Sequence, residues 1–521
     1  MLSKACLQKS DFYFTMSSFF RKNTFLITGI LLVLNSCQNN KQERQLALYE
    51  AHCARCHIAP NIDDLPKGIW EKAILPDMAA RMGIRENGYD PLAGLPYEEM
   101  EAIIKTGIYP LTPTLSMEDW LLLKAYILEN APDSLKMIPQ VYQDKELVSF
   151  APQLISFNRP SPGSYAFLEF QEESNQLLMG DMSGELLSYT YDQGITTKGV
   201  FESLVVAHEI VDENTFITTI GNIRPSALSK GKSYKINNRD TFLLNQPLHR
   251  PVHSLFEDLN GNGKEELVIS EFGDLSGELS LFVSNDSGTY DKKILLNQPG
   301  TIRVVAEDMD EDGRKDLIAL TSQGDESITF LYQREDLSFE AEKVLRFNPV
   351  YGSSWFELID YDNDGDLDLV TVNGDNADKS YVQKPYHGMR LHLNDGQNNF
   401  TEVYFYPMNG ATRVVASDFD QDGDMDFGLL STFPDYQNAP NRTFVFLDNA
   451  DSDEFKFNAY TVEDSLKAKW FLMDKGDIDG DGDTDIILSS FSLPFIPAPQ
   501  ELVSRWKKEA IDLMILENKH Q

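Results

Sequence analysis

Cysteine is scarce, and most of the chain has none. The four cysteines are Cys6, Cys37, Cys53 and Cys56, out of 521 residues, so a disulfide framework cannot hold the bulk of the protein together. Positive charge is also short: 45 Lys and Arg stand against 82 Asp and Glu, a formal net charge of −37. That balance excludes nucleic acid and an anionic membrane surface as natural partners. Long apolar runs are missing too. The N-terminal run Thr24 to Leu34 has eleven residues, short of the roughly 20 that cross a bilayer. What remains is ordinary globular material, 42% hydrophobic, in a chain long enough for two or more domains.

Residues 1–15 are neither strongly basic nor apolar, which makes Met16 the better start. From there Arg21 and Lys22 form a charged region and Thr24 to Leu34 an apolar one, the pattern of an export signal. Leu34-Asn35-Ser36-Cys37 follows and resembles a bacterial lipobox. The resemblance implies a signal peptide over 1–37, cut before Cys37, and lipidation of the Cys37 thiol. The chain is then expected to be exported and lipid-anchored to a membrane, at the periplasmic or surface face of an outer membrane. Residues 38–44 read as a polar tether.

Cys53-Ala54-Arg55-Cys56-His57 is a Cys-x-x-Cys-His sequence, the attachment signature of haem c. Two thiols one helical turn apart can both reach the vinyl groups of a haem, and the next residue offers its imidazole to the iron. A zinc site would need a second cysteine pair, and a thioredoxin-like pair would need a βαβ surround; the sequence has neither. His52 takes no role. The flanks predict a small helical domain over 45–135. A first helix carries Leu46, Leu48 and Tyr49, and further helical stretches cover Trp70 to Met82 and Tyr97 to Thr106. The last helix has Ser116 as N-cap and Asp119 at the capping-box position, and it runs to Asn130 before Ala131-Pro132.

This order resembles class I cytochrome c, which implies His57 on one side of the iron and a Met or His on the other. No histidine follows His57 in the domain, so Met78, Met82, Met100, Met117 and Met137 are the candidates. Met100 shares a core-like stripe with Tyr97, Ile103 and Ile104, Met117 sits in the cap turn, and Met137 lies in a linker over 136–147. Leu75-Pro76-Asp77-Met78 resembles a Leu-Pro-x-Met stretch of bacterial haem domains joined to propellers, and so implies Met78. Met82, one turn on, is the nearest substitute.

Beyond residue 148 the chain is β-rich, and one acidic motif returns five times at intervals of 50, 52, 58 and 59 residues. The copies are Asp258-Leu-Asn260-Gly-Asn262-Gly-Lys-Glu-Glu266, then Asp308-Met-Asp310-Glu-Asp312-Gly-Arg-Lys-Asp316, then Asp360-Tyr-Asp362-Asn-Asp364-Gly-Asp-Leu-Asp368. Asp418-Phe-Asp420-Gln-Asp422-Gly-Asp-Met-Asp426 and Asp477-Ile-Asp479-Gly-Asp481-Gly-Asp-Thr-Asp485 complete the set. Apolar runs flank each copy, so each is a loop between two buried strands, and a period of this size in β-rich sequence means propeller blades. A hard cation such as Ca²⁺ takes six to eight oxygens. Positions 1, 3, 5 and 9 supply carboxylate or amide oxygens, position 7 its carbonyl, and the glycine at position 6 a sharp turn. The first copy is the weakest, because Asn260 and Asn262 replace acids. These loops resemble the FG-GAP/VCBS repeats of integrin-like propellers, which implies four to five Ca²⁺ sites.

The stretch 150–257 has room for two plain blades, so the expected architecture is a small all-α cytochrome c-like domain followed by an all-β seven-bladed propeller over 148–521. Only a short stretch follows Asp477, leaving the last blade without an outer strand, and Val148 to Phe157 is expected to supply it. The expected function is electron transfer by haem c, with the propeller as a docking or ligand-binding platform. A redox protein or a small electron donor is the implied partner. Two alternatives stay open. In one, the propeller oxidises a substrate at a site lined by His249, Arg250, His253, His387 and His392. In the other, the propeller binds a glycan or protein and the haem is a sensor.

Overall fold

The computed structural model describes residues 41–521 apart from 87, 138–141, 143, 160–162, 212–213, 238–240, 245, 286–288, 377–380, 493–497 and 521. The expected signal segment and Cys37 lie outside the described residues.

Seven antiparallel sheets follow one another along the chain. Their innermost strands are Tyr165–Gln171, Val205–Val211, Pro251–Glu257, Thr301–Glu307, Ser353–Ile359, Ala411–Ser417 and Trp470–Gly476. Each of these touches the next, and Trp470–Gly476 touches Tyr165–Gln171, so the seven blades close a ring around a central channel. The second strand of blades 3 to 7 is buried at every residue, as in Asp316–Thr321 and Asp485–Ser490. A blade has a neighbour on each face, so such a strand must be apolar on both. This is why Leu317, Ile318, Ala319 and Leu320 run consecutively rather than alternating with polar residues.

Phe150–Ile155 pairs antiparallel with the last strand, Leu513–Asn518, with Phe150 opposite Asn518 and Ile155 opposite Leu513. The N-terminal side thus supplies the outer strand of blade 7 and joins the two ends of the ring. Phe150 is 3% exposed and packs against Phe419 and Phe446, a burial that contributes about 2–3 kcal/mol. The last strand starts at Leu513, after helix Gln500–Glu509, which ends on Ala510 with φ +52°. Lys145–Glu146 adds a parallel fifth strand to blade 6.

The helical domain opens with a helix over 41–53. Residues 41–44 therefore do not belong to a tether: Arg44 donates to Asp119 (2.6 Å) and Glu118 (3.2 Å) on the last helix, which anchors the first turn. That last helix, Met117–Asn130, is capped as its sequence demands, Ser116 Oγ accepting the Asp119 N–H at 3.1 Å. Trp120, Leu123 and Ile127 form its buried stripe. The middle helix carries a wide π turn at Trp70–Ile74, where Leu75 N–H reaches Trp70 O. Pro76 explains its position, since a proline ring clashes with the carbonyl four residues back and the wider turn relieves the clash.

The helical domain rests on the propeller face opposite the acidic loops. Asp64 accepts from Asn348 Nδ2 (2.7 Å) and, through its carbonyl, from Tyr386 OH (2.8 Å). Glu99 accepts from Ser226 Oγ (3.0 Å), and Val350 packs against the helical core.

Candidate functional site

Each acidic loop joins the inner strand of blades 3 to 7 to the second strand, and all five fold the same way. The carboxylate at position 1 accepts the N–H of the glycine at position 6, at 2.7 Å for Asp258, 2.9 Å for Asp308, 3.2 Å for Asp360, 3.1 Å for Asp418 and 3.0 Å for Asp477. Those glycines have φ between +78° and +102°, a region closed to most side chains. Position 4 is left-handed as well, at Gly261, Glu311, Asn363, Gln421 and Gly480. The glycines and the asparagine there were a signal for it.

The result is convergence. Carboxylate oxygens of Asp308, Asp310 and Asp316 lie within 4.8 Å of one another, and so do those of Asp360, Asp362 and Asp368, of Asp418, Asp420 and Asp422, and of Asp477, Asp479 and Asp485. Buried oxygens without a hydrogen-bond donor among the described residues include Asp360 Oδ1 and Asp426 Oδ2. Asp424 Oδ1 and Asp483 Oδ1, at position 7, are two more, so these side chains turn inward where only a backbone carbonyl was expected. Burial, reinforced by neighbouring loop carboxylates, raises Asp368, Asp424 and Asp483 to about 6, Asp485 to about 7 and Asp426 to about 8. Acceptors crowded together without donors fit a hard cation.

The loops are not equal. In the first, Asn260 Nδ2 donates to Glu266 Oε1 at 2.7 Å, an internal bond that uses the oxygen a cation would need. In the second, Arg334 reaches Asp310 at 2.9 Å and Arg314 pairs with Asp312, so guanidinium charge already offsets part of the acid. Among the described residues, loops three to five have no such substitute in contact.

The acid at position 9 does more than line the loop. It accepts the N–H of position 2, as Asp316 from Met309 (3.0 Å) and Asp485 from Ile478 (3.1 Å). It also accepts a backbone N–H from the end of the third strand, as Asp368 from Asn394, Asp426 from Asn449 and Asp485 from Asn518, each at 2.8 Å. Amides near those strand ends then reach the preceding blade's loop. Gln333 donates to Leu259 O (2.6 Å), Asn398 to Met309 O (2.6 Å), Asn449 to Tyr361 OH (3.3 Å) and Asn518 to Phe419 O (2.8 Å). Every acceptor is at position 2 of an acidic loop, so neighbouring loops are stitched together.

In the helical domain, Cys53 ends the first helix and packs against the core, while Cys56 and His57 follow in the turn. Both thiols are free, and burial pushes Cys53 up to about 12. His57 Nδ1 lies 2.7 Å from Ile58 O, and because a carbonyl only accepts, Nδ1 carries the proton and Nε2 keeps the lone pair a metal would take. Met78 is half-buried on helix Leu75–Arg81, Met82 packs against the core, and Met117 is exposed. Asp77, between the two helical methionine candidates and Pro76, is buried and accepts from Arg81, Tyr89 and Tyr109.

Four of the five residues proposed for a substrate site on the propeller have backbone partners or are buried. His249 Nε2 bonds Ser226 O at 2.8 Å, and Arg250 caps the carbonyls of Asn222, Ile223 and Gly273. His387 and His392 are buried in blade 5, where burial holds both imidazoles neutral. His253 lies on the inner strand of blade 3.

Two segments of the chain, 258–319 and 308–371, match the FG-GAP-like repeat family. No curated protein matches the chain. Among solved structures it is similar to the Pan2 WD40 domain of Neurospora crassa, at 11% identity and TM-score 0.44, covering 72% of this chain and 98% of that one. It is also similar to the N-terminal domain of Nup159, at 12% identity and TM-score 0.38, covering 73% and 98%. The Cps50 (Swd1) β-propeller domain of Myceliophteria thermophila gives 10% identity and TM-score 0.39, covering 64% and 95%. Repeat match and blade count agree: the chain carries FG-GAP-like repeats set in a seven-bladed β-propeller.

Proposed function

We propose that this protein is an exported electron carrier whose helical domain holds haem c, mounted on a calcium-stiffened propeller that docks a redox partner. The observation that carries the reading is the pair of free thiols on Cys53 and Cys56 next to an imidazole whose Nδ1 is already committed to a backbone carbonyl. The haem would supply a one-electron couple. Cys53 and Cys56 would hold it covalently, and His57, with Met78, would supply ligands to its iron, while Met82 packs against the core. Exposed apolar side chains in the same domain, among them Ile58, Leu111 and Met117, suit an apolar group of that size.

In the propeller, Asp360, Asp418 and Asp477 with their loop partners are the proposed Ca²⁺ ligands, and Asp308 with its partners holds a weaker site. The lipid on Cys37 is part of the same reading: it would tether an electron carrier near membrane-bound donors. No helix among the described residues is long and apolar enough to cross a membrane.

Expression in a host that matures c-type cytochromes tests the haem. Denatured protein should retain a covalent haem by its pyridine haemochrome spectrum, and Cys53→Ser together with Cys56→Ser should abolish it. Protein without covalent haem in such a host would overturn the reading. Met78→Ala should remove the weak charge-transfer band of iron–thioether bonding; loss of the band only in Met82→Ala or Met117→Ala would move the ligand there.

A further inference from the structure

The innermost strands carry a feature in register with the acidic repeats. Five residues before the first acid of each loop stand His253, Arg303, Trp355, Arg413 and Leu472. Each is the third residue of its inner strand and directly follows a bulge shared by all seven blades. A bulge re-aims the side chain beyond it. The strand starts lie at the channel end opposite the acidic loops, under the helical domain.

Three of these side chains form one stack. Trp355 lies between two guanidinium groups, with Arg303 Cζ 4.0 Å and Arg413 Cζ 4.5 Å from its ring centroid. Among the described residues, the carboxylate that pairs with Arg303 is Glu357, 3.5 Å from Arg303 Nη2, and Glu357 also accepts from Trp355 Nε1 at 2.7 Å. Arg413 has no ion pair among the described residues and donates to the carbonyls of Thr412 (2.8 Å) and Ser354 (3.5 Å). Arg303 Nε and His253 Nδ1 are buried without hydrogen-bond partners among the described residues. Burial and the Arg303 charge bring Arg413 down to about 10 and His253 to about 3, so two guanidinium groups stand beside a neutral imidazole. Asp375 adds negative field at Arg413 and Asp474 at Arg303, and Asp474 already accepts the N–H of Phe170 and of Lys475.

Adjacent buried cations repel, and a buried guanidinium without a counter-charge costs several kcal/mol. In a chain with a net charge of −37 an acid could readily stand there, yet the repeat register places a tryptophan. We propose that Arg303 and Arg413, spaced by Trp355, bind a small oxyanion or carboxylate at the channel mouth beneath the helical domain. Two planar forks held on one aromatic spacer suit bidentate recognition of such a group, and the enclosed channel strengthens it. The loops leading into these strands carry the domain contact: Val350, five residues before Trp355, packs on the helical core. The bound anion would therefore lie between the two domains. The inference does not depend on haem or calcium.

Calorimetric titration of the full chain with sulfate and, separately, with succinate, at ionic strength fixed with chloride, tests the site. One saturable site for at least one anion is expected, and each of Arg303→Gln and Arg413→Gln should weaken it by about tenfold or more. The two arms distinguish an inorganic oxyanion from a carboxylate. No saturable binding of either, or binding unchanged in both variants, would overturn the proposal. Should the variants fail to fold, wild-type crystals soaked in selenate give the answer: an anomalous peak in hydrogen-bond contact with the Arg303 and Arg413 guanidinium groups supports the site, and its absence there refutes it.

Discussion

Blades 1 and 2 close their inner hairpins cheaply; blades 3 to 7 do not. In blade 1 the turn is the short helical stretch Glu172–Ser174 with Asn175 at φ +47°, and in blade 2 only two residues separate Val211 from Asn214. Blades 3 to 7 insert an acidic loop of eight residues at the same point, as between Glu307 and Asp316. A blade evidently needs no such loop to fold. Loops that gather like charges oppose folding unless something compensates them, so the carboxylate clusters of blades 4 to 7 are compatible with a bound cation and are not required by hairpin geometry.

Chelation should break this comparison most visibly. If four sites are filled well above their dissociation constants, each contributes about 2–3 kcal/mol. Removing the metal should then lower the melting temperature by about 10 °C or more. A scanning calorimetry trace unmoved by chelator would mean the loops are merely acidic turns.

The pH response should change sign with metal. Asp426 and Asp485 have metal-free pKa values of about 8 and about 7, above their unfolded value. The metal-free folded state therefore binds more protons than the unfolded chain. Its stability should rise as pH falls from about 8 to 6 and drop as pH is raised through that window. With Ca²⁺ present the carboxylates must be ionised to bind, and the trend should reverse. Chemical denaturation at pH 6 and pH 8, with and without chelator, checks both signs.

Single substitutions sharpen the contrast between loops. Asp485→Asn removes a candidate ligand and weakens a pin holding two backbone N–H groups, and should cost about 2–3 kcal/mol with loss of one bound Ca²⁺ per chain by elemental analysis. Glu266→Gln in the first loop should release no metal. Asn518→Ala, which unstitches blade 7 from the loop of blade 6, should cost about 1–2 kcal/mol by urea denaturation. Smallest of all, Gln421→Gly frees a residue held at φ +58° and should stabilise by about 1 kcal/mol at most. A destabilised variant would show that Gln421 has a role beyond its backbone.

What could be read from sequence was whatever repeats locally. The acids at positions 1, 3, 5 and 9, the glycine at position 6, the blade period and the capped helix after Ser116 all sit in short windows. The pairing of Phe150–Ile155 with Leu513–Asn518 was reachable because one blade lacked a strand. The amides of Gln333, Asn398, Asn449 and Asn518 were not found, since their partners lie one blade back and their distance from the acidic motif varies with hairpin length. Arg303, Trp355 and Arg413 do keep a fixed offset from the repeat, but their identities differ, and a search for identical residues passes over them. His249 and Arg250 suggested chemistry by type alone; burial and backbone carbonyls explain them.

The shared strand of blade 7 has a consequence for the order of events during synthesis. Phe150–Ile155 leaves the ribosome before the seven blades it helps to close, and its partner Leu513–Asn518 emerges only after the other six. Until then both edges stand open, and no amount of early blade formation can complete the ring. Such distant pairing is slow, and the exposed edges invite the wrong partner. The linker that delivers Phe150 comes straight from the helical domain, so where that domain docks also decides how far its strand must search.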